Sequence, residues 1–198
     1  FENVNFSGRS PEAADYENCT FTGCDFSDSD LSDLNFMECT FEGCNLSLTL
    51  LTTTTLRETR FNRCKLLGLH FEDCNKTLIS FDFENCMIER CSFHRLKLNR
   101  TRFVSSKISE VDFTEADLSE SSFAGSDLQR SLFRSTNLEG VLATNTTGTV
   151  AWAVPPDNWA WIVAGAYLAL QIRTKTRVLG AIVAPFAVLL MMLASLSL

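Results

Sequence analysis

From Tyr16 onward, large apolar residues recur at every fifth position. The column runs Tyr16, Phe21, Phe26, Leu31, Phe36, Phe41, Leu46, Leu51, Leu56, Phe61, Leu66 and Phe71. It resumes two residues out of phase as Leu78, Phe83, Ile88, Phe93, Leu98, Phe103, Ile108, Phe113, Leu118, Phe123, Leu128, Phe133 and Leu138. A second column, two residues before each centre, holds mostly Cys, Ser, Thr and Ala, and the only charged residue in either column is Lys76, at the break between the two runs. The remaining three positions carry the Asp, Glu, Lys and Arg. A helix repeats its apolar face at about 3.6 residues and a strand at about 2, so a period of five fits neither. A coil that turns a corner every five residues does fit, with one large and one small side chain inward and three facing water.

Such a coil buries its core only by stacking on its neighbours, which defines a solenoid. The units Ala116-Asp117-Leu118, Ser126-Asp127-Leu128, Thr136-Asn137-Leu138 and Ser29-Asp30-Leu31 resemble the pentapeptide-repeat family, whose loose consensus is Ala-(Asp/Asn)-Leu-x-x. The resemblance covers residues 14–140, with Phe1 and Phe6 marking an incomplete earlier coil. It implies an all-β fold, a right-handed quadrilateral β-helix with four units, about 20 residues, per coil. Residues 1–140 then form the repeat domain, about seven coils and a rod roughly 30 Å long at about 4.8 Å per coil.

Within the second run Phe83, Phe93, Phe103, Phe113, Phe123 and Phe133 alternate with Leu or Ile. Alternation at ten puts Phe on two opposite walls and stacks Phe over Phe along the rod. The first run breaks the rule at Leu46, Leu51 and Leu56, so its walls are expected to be less regular. Gly8-Arg9-Ser10-Pro11-Glu12 lacks an apolar centre and, with a proline that cannot donate to a ladder, reads as a surface loop. The slip at 74–78 should bulge outward from one corner, with Lys76 solvated.

Eight cysteines invite a metal or disulfide reading. Cys19, Cys24, Cys39, Cys44, Cys64, Cys74, Cys86 and Cys91 all fall in the small inward column. Consecutive units lie on different walls, so Cys-x4-Cys pairs need not converge as a zinc site does. They read as free, space-filling thiols, easiest to keep reduced in a cytoplasm. His70 and His94 lie in outward columns without a telling partner. Asp28, Asp30 and Asp33 lack the turn Gly and terminal Glu of a calcium loop. No phosphate-binding loop, nucleophile elbow or dinucleotide fingerprint is present. The chain reads as a non-enzyme with no catalytic, cofactor or metal residues.

The net charge of −7 is unevenly spread. Residues 1–56 hold ten acidic residues and one basic, residues 57–107 six and eleven, and residues 108–140 seven and two. Such banding could steer a partner or orient self-association into a homodimer. Asp25, Asp28, Asp30, Asp33, Arg95, Arg100 and Arg102 are the candidate partner surface. The segment Tyr16–Ser47 is similar to the quinolone-resistance-type members of the bacterial family. That similarity implies binding of DNA gyrase and topoisomerase IV by a rod that mimics duplex DNA, with no direct nucleic-acid contact. The basic middle band departs from the uniform acidity a DNA mimic needs. The alternative is a membrane-tethered structural or protein-interaction scaffold with no topoisomerase role.

After Gly140 the five-step pattern stops. Residues 141–158, with Pro155-Pro156, read as a linker, and 159–198 as a hydrophobic helical tail. Arg173, Lys175 and Arg177 precede 178–198, which runs 21 residues without a charge, long enough for a transmembrane helix. The basic cluster favours a cytoplasmic start, giving an inner-membrane anchor. The competing expectation is a tail foreign to the repeat, as a shifted reading frame would produce. The absence of Met at position 1 suggests a fragment of a longer chain.

Overall fold

The computed structural model describes residues 1–148, apart from Ala13 and Leu78. The hydrophobic tail 159–198, with its candidate span 178–198, and most of the 141–158 linker lie outside the described residues. The chain winds as a four-walled solenoid of parallel strands. Wall one is a five-stranded sheet of β2 (Thr20–Thr22), β4 (Thr40–Glu42), β6 (Thr59–Asn62), β8 (Phe81–Glu84) and β10 (Phe103–Val104). Wall two continues from Asn5–Asp25–Asn45–Lys65 bridges into β7 (Lys65–Leu67), β9 (Met87–Glu89), β11 (Lys107–Ser109) and β12 (Asp127–Gln129). Wall three is joined by single bridges, Asp30 to Leu50 and then His70 through Ser92 and Asp112 to Leu132. Wall four stacks β1 (Asp15–Glu17), β3 (Asn35–Met37) and β5 (Thr55–Arg57), and resumes as Lys97–Asp117–Asn137 bridges.

The register makes the coil length visible. Phe21 pairs with Phe41 and Phe41 with Phe61, a step of twenty, whereas Phe61 pairs with Phe83, a step of twenty-two. Asn75 keeps the old register, its amide donating to the Thr54 carbonyl at 2.9 Å, while the Ser80 amide donates to Leu56 at 2.8 Å. The two extra residues therefore sit between Asn75 and Ser80, at the predicted slip, and Lys76 is exposed there. Leu78 is outside the described residues, and Ile79 beside it packs against the core. Just before the slip, a single 3-10 turn, Phe71–Asp73, replaces the usual corner.

Both inward columns are buried, apart from Ala14, Tyr16 and Cys19 in the first coils and Lys76 at the slip. Phe21, Phe26, Phe36, Phe41, Phe71, Phe83, Phe93, Phe103, Phe113 and Phe123 are among the largest side chains fully removed from water. On wall one, Phe1, Phe21, Phe41, Phe61, Phe83, Phe103 and Phe123 form one continuous stack with centroids 4.8 to 5.2 Å apart. On opposite wall three, Phe71, Phe93, Phe113 and Phe133 stack at 4.5 to 5.2 Å. The two stacks meet edge to face across the tube, as Phe103 meets Phe113 at 5.6 Å and 87°. Both geometries satisfy the ring quadrupole and add about 0.5–1.5 kcal/mol per pair beyond area burial. The early coils are less regular, as expected: Phe6 stacks on Phe26 on wall two and Tyr16 on Phe36 on wall four.

The corners carry a cost. Two residues after almost every centre the backbone enters the left-handed region, and most of these residues are not glycine. Asn18, Asp28, Glu38, Leu48, Thr53, Arg63, Arg90, Arg95, Glu110 and Glu120 are examples, with φ between 51° and 60°. Each costs an L-residue about 1–2 kcal/mol, offset by the ladder and core that the corner closes.

Three features differ from the sequence reading. The ladder runs on past Gly140: Leu142 bridges Ser122, Thr147 bridges Asp127, and Ala143 and Thr146 are buried. The signal faded because Ala143 takes a centre position that elsewhere holds a large residue. Gly8 and Arg9 belong to the coil, their amides bonding Ser27 and Phe6. Ala14, placed in the inward column, is exposed on the outermost level.

Candidate functional site

With the inward columns committed to packing, chemistry must come from the outward ones or from the thiols. All eight cysteines are free, and all but Cys19 are buried. Six of the sulfurs donate to a carbonyl one coil below, among them Cys39 to Tyr16 at 3.2 Å, Cys64 to Phe41 at 3.2 Å and Cys86 to Phe61 at 3.3 Å. Hydroxyls in the same column do likewise, Thr54 to Leu31 at 2.8 Å and Ser126 to Phe103 at 2.6 Å. The column thus selects small side chains with a donor. Burial pushes the Cys74 and Cys91 thiols up to about 12, so both remain protonated and poorly suited to ligation or attack. Among the described residues no three His, Cys, Asp or Glu side chains converge on a metal-sized site. His70 pairs with Glu72 at 3.1 Å on the surface. No described helix is long and apolar enough to cross a membrane.

The candidate aspartates share one coil, with Ser27 and Ser32 as the outward residues between them. Asp25 lies on wall two, Asp28 at the next corner, Asp30 on wall three and Asp33 at the corner after it. Hydrogen bonds from Ser27, then from Asn45, hold the Asp25 carboxyl below the usual carboxylate range, and bonds from Ser32 do the same for Asp30. The geometry is local: each carboxylate accepts the amide two residues on, at 3.0 and 2.9 Å. Asp112, Asp117, Asn45 and Asn137 repeat the bond, which explains why Asp or Asn precedes so many centres. Asp33 accepts a hydrogen bond from the Thr53 hydroxyl.

The candidate arginines are not part of that cluster. Arg95 and Arg100 occupy two different corners, three coils further along, and point up the rod. Arg95 pairs with Glu115 at 2.7 Å and Arg100 with Glu120 at 2.8 Å. Arg90 completes the set at a third corner with Glu110 at 3.0 Å, and Glu110 also meets Arg130 at 2.6 Å. The partners sit twenty residues apart, so the basic band is clamped to the acidic coil above it. These contacts are exposed and salt-screened, and orient charge more than they stabilise. Arg102 lies on wall one, where its amide donates to Asp82 at 2.8 Å. A shallow cleft of about 280 Å³ opens nearby at the phase slip, lined by Glu58, Arg60, Ser80, Asp82 and Arg100 among others. Its mixed charges select no single ligand. The structure therefore keeps the seven candidates as an acidic coil and a separate basic region. Leu48 and Leu50, exposed in outward columns, went unnoticed in the sequence, although their column positions marked them.

The family model for the pentapeptide repeat region matches residues 14–82 and 70–142. The chain belongs to the pentapeptide-repeat family. Among solved structures, this pentapeptide-repeat chain is similar to a trypsin-treated variant of QnrB1, a plasmid-mediated fluoroquinolone resistance protein. The TM-score is 0.53 at 16% identity, over 87% of this chain and 98% of that one. A second match is HetL, a pentapeptide-repeat protein involved in heterocyst differentiation regulation from the cyanobacterium Nostoc sp. strain PCC 7120. Its TM-score is 0.23 at 14% identity, over 74% and 87% of the two chains. No curated protein sequence matches the chain significantly.

Proposed function

We propose that the chain is a non-enzymatic protein-binding rod whose acidic end engages a type II topoisomerase in place of duplex DNA. One observation carries the reading. Of the ten acidic residues in 1–56, only Glu42 enters an ion pair among the described residues, with Arg63. The basic band, by contrast, sends Arg90, Arg95 and Arg100 into axial pairs with Glu110, Glu115 and Glu120. The first coils thus keep an uncompensated negative field that can steer a DNA-binding surface. The shared fold with a fluoroquinolone resistance protein supports this choice of partner. Eight free thiols fit work in a reducing cytoplasm.

The test is gyrase supercoiling with the full chain, with and without a quinolone. Relief of quinolone inhibition, or direct inhibition of supercoiling, is expected at micromolar protein. Paired Asp28→Lys and Asp33→Lys substitutions should weaken either effect. No effect of the wild-type chain on either reaction would overturn the proposal.

A further inference from the structure

Five large hydrophobic side chains are exposed among the described residues: Phe1, Leu48, Leu50, Met87 and Leu142. Phe1 and Leu142 lie at the two ends of the described coils. Leu48 and Leu50 lie mid-rod at one edge, where walls two and three meet, whereas Met87 begins wall two just past the corner that follows wall one. Leu48, 53% exposed, is the corner itself, and Leu50, 58% exposed, begins wall three. The half-buried Leu67 lies one coil on, its carbonyl accepting from the Leu48 amide at 2.8 Å. Met87 sits on wall two, in register with Lys65.

Leu48 has φ 60° at a corner position that other coils fill with Gly8, Asp28, Gly68, Arg90, Glu110 and Arg130. A bulky side chain at positive φ is an outlier, and here it is also held in water. Gly68 accommodates it: a Cβ there would approach Leu48 Cδ2 to 2.9 Å. The ten residues 46–55 that carry Leu48 and Leu50 contain no charge. They also mark the charge boundary of the rod, with ten acidic residues to one basic through residue 56 and eleven basic to six acidic over 57–107.

We propose that this edge is a self-association surface on which a second copy of the chain packs antiparallel. The two-fold axis crosses the rod at the Leu48–Leu67 level. Reversing one rod about that axis sets residues 1–56 of each copy against 57–107 of the other, and the leucine patch against itself. A parallel pair would oppose acid to acid and base to base. The contact is isologous, so one patch serves both copies. A patch this small gives a weak, concentration-dependent and salt-sensitive dimer. It rests on observations other than those behind the topoisomerase reading, and the dimer covers part of the acidic coils that reading uses.

Sedimentation velocity of the full chain, from about 1 to 100 µM in low and high salt, tests it. The expected result is a dimer whose association weakens about tenfold or more in high salt. The Leu48→Asn/Leu50→Thr pair should weaken association by about tenfold or more while thermal stability holds or rises, because Asn tolerates the left-handed corner. That split separates a contact role from a folding role. A photo-crosslinker, Leu50→p-benzoylphenylalanine, in a mixture of light and heavy-isotope chains should join residues 46–70 of two copies. A monomer throughout the range, or a dimer indifferent to the double substitution, overturns the proposal. So do crosslinks that place residues 25–33 of the two copies together, or crosslinking only to an added Lys/Leu peptide.

Discussion

Cys44 Sγ lies 3.1 Å from the carbonyl oxygen of Phe21, one coil below. That carbonyl belongs to a centre residue buried in the tube, where an unmet acceptor costs about 1–3 kcal/mol. Thiol and hydroxyl donors fill the same place in successive coils at Cys44, Cys64 and Cys86 and again at Ser126, while the Ser106 hydroxyl between them donates to Val104.

Cys64→Ser should accordingly be mild, with a loss below about 1 kcal/mol, because the donor survives. Cys64→Ala removes it and should cost about 1–3 kcal/mol. Urea denaturation of the two variants checks the order; equal losses would show that the slot needs only volume.

The aromatic stack makes a nearest-neighbour prediction. Phe103→Ala should cost about 3–5 kcal/mol through lost burial and a cavity between Phe83 and Phe123. Phe83→Ala combined with Phe103→Ala should depart from additivity, because the rings share a contact 5.2 Å long. Phe21→Ala with Phe123→Ala, several coils apart, should add. Thermal melts of the four single and two double variants decide this.

The corner dihedral can be isolated at Gly43, where φ is 63° and a Cβ would meet nothing within 4 Å. Gly43→Val should lose about 1–2 kcal/mol from backbone strain alone, and Gly43→Asn much less. Chemical denaturation measures the difference, and a neutral valine would remove the strain argument for every corner.

Alkaline pH should weaken the fold in a defined window. Burial raises Cys74 and Cys91 to about 12, so unfolded thiols ionise near pH 9 while the folded ones stay protonated. The folded state then binds more protons, and stability falls as pH rises from about 9 toward 12, on the order of 1 kcal/mol per pH unit for each thiol. Stability against pH for Cys91→Ser should show a shallower fall. In the native chain at pH 8 a thiol reagent should react quickly with the half-buried Cys19 alone, and with all eight after denaturation.

Much of the fold is legible because each five-residue unit repeats the same local demand. The centre column, the phase slip and the Phe83–Phe133 alternation all appear in the structure where the sequence places them. The axial pairs were equally available: Arg95 and Glu115 stand one coil apart in the sequence. A sum of net charge along the chain hides them, because each pair joins residues twenty positions apart. The end of the ladder was misread because Ala143 and Gly148 keep the period without large side chains to announce it.

The sequence by itself determined which residues face inward, since a period of five leaves one consistent side for every large apolar residue. It also determined that the cysteines share one environment. Only the stacked coils decided what each residue meets twenty positions away: a thiol under a carbonyl, an arginine beneath a glutamate, a leucine over Gly68. Those contacts depend on corners held in a strained backbone region and on coil length, including the twenty-two-residue coil. Column membership is a local property of the chain, whereas the neighbours that give an outward residue its role come from the turn above and the turn below.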